Sequence, residues 1–221
     1  KSIFLNYLPV DLDWLVKIIN RDLLLSLIFN DWVSLETMIF ICYVIHYNLN
    51  IKMESTLVRT SNVDVNIGLS EDSLNGVIKI LNNLLSDEYV LYTKTRNYHW
   101  NVVGSHFNDR HKFFQEQYEI LDEIIDEIAE RARQLNGKSL GTLKEFLDYA
   151  RIKESPGKYP KDTEMISNLL SDHEQIIKTL RKNADECEDP YHDMGTNDFL
   201  IGIMEKHEKM AWMLRAHLEQ A

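Results

Sequence analysis

The stretch HWNVVGSHFNDRHKFFQEQYEILDEIIDEIAERARQLNG, from His99 to Gly137, decides the fold. After Gly104, Phe114, Leu121, Ile125, Ile128, Ala132 and Leu135 recur at intervals of three, four or seven, which lays them in one apolar stripe along a helix from about Phe107 to Leu135. The NGK at Asn136 to Lys138 stops it. Upstream, Ser70 followed by Glu71 and Asp72 is a helix start, because a serine oxygen can accept from the free amides of the first turn and acids suit its positive end. That helix runs through Leu81, Leu84, Leu85, Val90 and Leu91 to about Val102. Downstream, a short helix is expected over Thr142 to Ile152, then the loop KESPGKYP (Lys153 to Pro160). A third long helix follows over Asp162 to Cys187, broken by EDPYHDMG, and a fourth, capped by Thr196, reaches about Glu219. The fold class is all-α: a four-helix bundle with a short extra helix in the connection between helices two and three.

Composition agrees with helices. Only four prolines and eight glycines occur in 221 residues, and 44% of the chain is hydrophobic, enough for one core. A net charge of −11 argues against general nucleic-acid binding, which needs clustered cations to displace phosphate counterions, and favours attraction of metal cations. Cys42 and Cys187 form no CxxC pair, so a reducing, cytoplasmic setting is expected. Residues 1–52 contain no Gly and no Ala, and their apolar runs, Leu23 to Phe29 and Met38 to Ile45, are short of the roughly 20 residues that span a bilayer. The composition changes abruptly at Met53, so residues 1–52 are expected to be a non-native or read-through extension, residues 53–69 an arm, and residues 70–220 the folded domain.

Most of the eight histidines are expected to be ordinary: His46, His173, His192 and His217 as surface or satisfied side chains, His106 in a turn, and His207 in helix packing. His99 and His111 differ because of their company. On helix two, residues 111, 115, 122, 126 and 130 fall within about 100° of one another, beside the apolar stripe, where a packed boundary is expected. Asp126 and Glu130, four apart, can put two carboxylates around one cation, and imidazole with carboxylate suits iron, zinc or manganese. The ordinary alternative is a solvated acidic face with Arg131 and Arg133 nearby. Distance adds a condition. His111 and Asp126 are 15 residues apart on one helix, about 22 Å of rise, whereas metal–ligand bonds are near 2 Å. They can share an ion only if a second copy lies antiparallel across a two-fold axis, the His end of one against the Asp/Glu end of the other.

From about Leu81 to Gln220 the chain resembles the Dps proteins, the ferritin-like miniferritins of starved and peroxide-stressed bacteria. The resemblance rests on His99, a second His twelve on at His111, then Asp126 and Glu130, supported by NYHWNVVGSHF, DEIAER, DMGTND and HEKMAWMLRAHL. It implies a ferritin-like four-helix bundle assembled as a homo-oligomer, a hollow dodecamer. Its ferroxidase sites, shared between two subunits, would oxidise Fe(II) to Fe(III), preferably with hydrogen peroxide, and store the ferric product. It also implies one iron position formed by His99 with the partner's Asp126 and Glu130, and a second, weaker one using His111, the residue at 115 and the bridging Glu130. Trp100 matches an aromatic residue that takes up stray oxidising equivalents, and Asp193 and Asp198 match positions lining an iron-entry pore; as an alternative, both acids would be ordinary cap and helix-dipole residues. Gln115 departs from the pattern, because an acid is expected there and an amide oxygen is a poorer ligand for iron.

Other functions compete with this one. A ferritin or rubrerythrin type would place Glu three residues before a ligand His within one bundle, and no histidine here has one. A DNA-compacting protein needs a basic arm, yet MESTLVRTSNVDVNIGLSEDS holds one Arg among several acids and the end HLEQA has no basic tail, so no DNA binding and no membrane association are expected. A purely structural cage with a weakened metal site is the remaining alternative.

Overall fold

The computed structural model describes residues 65–219. Among them are five helices: α1 (Glu71–Asn101), α2 (Phe107–Gln134), α3 (Leu143–Tyr149), α4 (Asp162–Glu188) and α5 (Met194–Ala216). The expected arm and the part preceding it lie, up to residue 64, outside the described residues.

The helix starts follow from capping. Ser70 Oγ accepts from the Ser73 amide at 3.1 Å with Glu71 and Asp72 in the first turn, as the sequence predicts. Thr142 and Glu145 form a reciprocal capping box that opens α3. The last helix starts earlier than expected. Asp193 is its cap, accepting from the Thr196 amide at 2.9 Å, so Thr196 lies inside the first turn. A carboxylate three residues upstream can reach the same free amide that a threonine at the cap would have left unsatisfied. Between α1 and α2, Gly104 takes φ +127°, which side chains rarely adopt, and lets the chain reverse within a few residues. At the far end of α2, a Cβ on Gly137 would stand 2.7 Å from Ile78, so α1 and the α2 exit approach through this glycine.

The helices pair as two antiparallel hairpins, α1 with α2 and α4 with α5, and one long crossover carries α3 between them. Only short turns join the members of each hairpin, whereas the crossover must travel the length of the bundle. This is the ferritin-like arrangement. The expected stripe of α2 is the buried one: Phe114, Leu121, Ile128 and Leu135 are fully enclosed, with Leu81, Leu84 and Leu91 of α1. Each such side chain contributes about 1.5–3 kcal/mol of transfer free energy. Polar residues of α1 grip the crossover. Asn82 donates to the Lys138 carbonyl and accepts from the Leu140 amide, both at 2.9 Å. Asp87, nearly sealed from water, takes the Arg151 and Ile152 amides and the Arg151 guanidinium. Lys94 donates to the Lys153 carbonyl at 2.7 Å and pairs with Asp172 of α4.

The core contains one unusual polar chain. Glu88 of α1, His207 of α5 and His173 of α4 are all 0% exposed. His207 Nε2 lies 3.0 Å from Glu88 Oε1, and the two imidazoles face each other Nδ1 to Nδ1 at 2.9 Å. Burial, with His207 beside it, holds the His173 pKa well below the usual histidine range. His173 is therefore a hydrogen-bonded core histidine rather than a surface one and His207 takes part in helix packing, as expected; together with Glu88 they form a polar seam between the two hairpins.

Candidate metal centre

The end of α1 and the start of α2 bring His99 and His111 face to face. Their rings stack with centroids 3.7 Å apart and planes inclined by 20°. Each histidine is locked by the other's backbone: His99 Nδ1 donates to the His111 carbonyl at 2.7 Å, and His111 Nδ1 donates to the His99 carbonyl at 2.9 Å. A carbonyl can only accept, so both Nδ1 atoms carry hydrogen, and Nε2 is the nitrogen each ring has left to offer a metal. Backbone bonds of this kind orient ligand histidines around metals. Neither Nε2 has a protein partner among the described residues.

The stacking also bears on how the pair could hold ions. An imidazole lone pair lies in its ring plane. With centroids 3.7 Å apart and an inclination of only 20°, the two ring planes meet roughly 10 Å away, whereas an ion bound through Nε2 sits about 3 Å from the ring centre. One ion cannot lie in both planes at bonding distance, so the two rings suit two adjacent ions.

The acids stand elsewhere. Asp126 and Glu130 lie on the exposed side of α2, away from the core, and make no hydrogen bond or ion pair among the described residues. The packed boundary expected there is absent within one chain, because the buried stripe through Ile124, Ile125 and Ile128 faces the opposite way. Their neighbour Glu127, by contrast, is neutralised by Lys206 at 2.7 Å. Among the described residues, no three His, Cys, Asp or Glu side chains of one chain gather closely enough to hold a metal ion. Gln115, half-buried beside His111, donates its amide to Glu119 at 2.8 Å.

Trp100 is 64% exposed next to His99. It belongs to a cluster that the motif alone did not reveal: the Arg96 guanidinium lies 5.4, 5.1 and 5.1 Å from the rings of Tyr92, Trp100 and Tyr118. Tyr118 meets His99 edge to face at 5.2 Å and so braces the ring from α2. The one-turn spacing of Tyr92, Arg96 and Trp100 along α1 was the available signal. Within the subunit Asp193 takes the cap role that was the alternative to a pore position. It is buried, and its carboxylate is occupied by Thr196 and by the Arg131 guanidinium at 3.3 Å, because it serves as the α5 cap. Asp198, one turn further on, is exposed. Cys187 is free and buried, and burial pushes its thiol up to about 12, so it stays protonated.

The ferritin-like domain family matches residues 78–221. A low temperature-induced protein of Nostoc sp. is 48% identical over 155 residues, 70% of this chain and 87% of that protein. The DNA protection during starvation protein 2 of Bacillus anthracis is 39% identical over 145 residues, 65% of this chain and 97% of the relative. The chain belongs to the Dps family of ferritin-like proteins. The solved Dps protein of Vibrio cholerae O1, described as a member of a broad superfamily of ferritin-like diiron-carboxylate proteins, superposes with a TM-score of 0.66 at 30% identity, covering 72% of this chain and all of that one. At the level of this Dps family, membership means iron binding, ferroxidase chemistry and iron storage. No helix among the described residues is long and apolar enough to cross a membrane.

Proposed function

We propose that this Dps protein is a peroxide-consuming ferroxidase of the cytoplasm, which oxidises Fe(II) at dinuclear sites shared by two subunits and retains the ferric product inside a dodecameric cage. The observation that carries this is the reciprocal histidine lock: His99 and His111 offer two Nε2 atoms in planes that suit two ions, while the unpaired carboxylates of Asp126 and Glu130 stand on the same helix as His111, too far along it to complete the set. A second copy placed antiparallel supplies them. His99 with the partner's Asp126 and Glu130 holds the first iron. His111 and Gln115 hold the second, with Glu130 bridging.

Iron is the substrate here, and the residues have simple roles. Neutral imidazoles and carboxylates bind Fe(II), and carboxylates favour the Fe(III) product more because it carries more charge. Hydrogen peroxide takes one electron from each iron and two protons from solvent, its O–O bond breaks and it leaves as two waters, so no one-electron fragment of peroxide is released when both positions are filled. The acidic face of α2 concentrates cations around the site. DNA compaction plays no part, since the net charge is −11.

Anaerobic titration of the assembled protein with Fe(II), followed by peroxide, tests this. Fe(II) should saturate at up to two per subunit. Each peroxide should then oxidise two Fe(II), with ferric absorbance staying in a large soluble particle. Oxidation no faster than in buffer, or ferric precipitate outside the protein, would reject it.

A further inference from the structure

Gln115 is the one member of the ligand set with the wrong charge, and its side chain is not free. Its amide Nε2 donates to Glu119 Oε1 at 2.8 Å, one helical turn further along α2. An amide carries its oxygen and nitrogen on the same carbon. Fixing the N–H on a carboxylate therefore turns Oε1 away from Glu119, and the opposite flip would set oxygen against oxygen. A carboxylate that accepts from an amide also polarises it and leaves the carbonyl oxygen more negative, as carboxylates bonded to the far nitrogen of a ligand histidine do.

Glu119 could itself be taken for the missing acidic ligand, but distance argues against it. It stands eight residues from His111, about 12 Å of helix rise, too far for both to reach one ion with bonds near 2 Å. Gln115 is a single turn from His111, about 6 Å, which side chains on one helix edge can span. We infer that Glu119 is a positioning residue of the second iron position: it holds Gln115 with its carbonyl oxygen presented as the ligand, and returns to the site, one shell out, the negative charge that an amide lacks. This rests on the shared-site function above and adds a residue to it. Both side chains lie on the outer face of α2, away from the buried stripe, so their substitution leaves the subunit core intact.

The test is anaerobic Fe(II) calorimetry on the full-length assembled protein: wild type, Glu119→Ala, Gln115→Asp and the double variant. In the Gln115 background, Glu119→Ala should weaken the weaker class of sites about 10-fold or more, the usual cost of losing a residue that orients a metal ligand, and leave the stronger class unchanged. In the Gln115→Asp background the same change should cost nothing or tighten binding, because two carboxylates one turn apart repel. Glu119→Gln, which keeps volume and an acceptor oxygen but not the charge, should fall between wild type and Glu119→Ala. A merely structural role for Glu119 would weaken binding equally in both backgrounds. That result, or no loss in the Gln115 background, overturns the inference. His99→Ala tests the site itself: if it leaves the stronger class untouched, the shared-site function fails, and the role of Glu119 falls with it.

Discussion

Lowering the pH should destabilise this protein through one identifiable group. His173 is sealed in the core, and burial together with His207 holds its pKa well below the usual range, so the folded chain refuses a proton that the unfolded chain accepts below about 6.5. A histidine depressed in this way leaves stability intact above pH 6.5 and lost as pH falls, since the unfolded state then binds more protons. For one proton taken up by the unfolded chain alone the slope is about 1.4 kcal/mol per pH unit, reached once the pH is below the unfolded value and lost again where the folded chain also protonates. Carboxylates add their own slope, so the measurement is a difference: urea unfolding of wild type and His173→Asn at fixed protein concentration, from pH 7.5 to 4.5. The variant should be less stable at pH 7.5, because His207 loses its 2.9 Å partner, and its stability should fall less steeply with acid. Parallel pH curves for the two proteins would refute the assignment of the acid sensitivity to this buried seam.

Three further outcomes follow from the sequence and the site. Gln115→Asp should tighten the weaker iron position and raise the oxidation rate without altering assembly, read by Fe(II) stoichiometry and stopped-flow ferric absorbance; no change in either would mean that residue 115 does not limit the site. Deleting residues 1–52 should leave assembly and iron oxidation unchanged, checked by size-exclusion chromatography and the same assay, and failure to assemble would show that this segment contributes to the particle. The metal-free protein should not retard DNA near 150 mM salt, whereas a clear mobility shift would reveal a cationic surface that the composition conceals.

How far the sequence reached depends on the kind of signal. The long helices were legible because α2 repeats one apolar stripe and Ser70 marks the start of α1, both local signals. The start of α5 was not. Asp193 and Thr196 are both good caps, and the choice was made by burial against Arg131, 62 residues away. At the candidate metal centre, residue types and spacing pointed to His99, His111, Asp126 and Glu130, and the rise per residue means that they can share an ion only across two chains. Spacing could not show the ring stacking, the crossed Nδ1-to-carbonyl bonds, or Tyr118 against His99, because these depend on how Gly104 reverses the chain. The partnership of Glu88, His173 and His207 was equally hidden. The three come from different helices, and each looks ordinary in its own segment.

The central claim is a site built from two subunits, and complementation measures it directly. One variant lacks His99 and His111, the other lacks Asp126 and Glu130, and each alone should assemble yet oxidise Fe(II) poorly. Co-refolded in equal amounts, about half of the dimers are mixed, and each mixed dimer holds one site with every ligand and one with none. Roughly a quarter of wild-type peroxide-driven oxidation should therefore return. No recovery in the mixture would place the ligands within a single chain, and full activity in either variant alone would show that these residues are not the ligands.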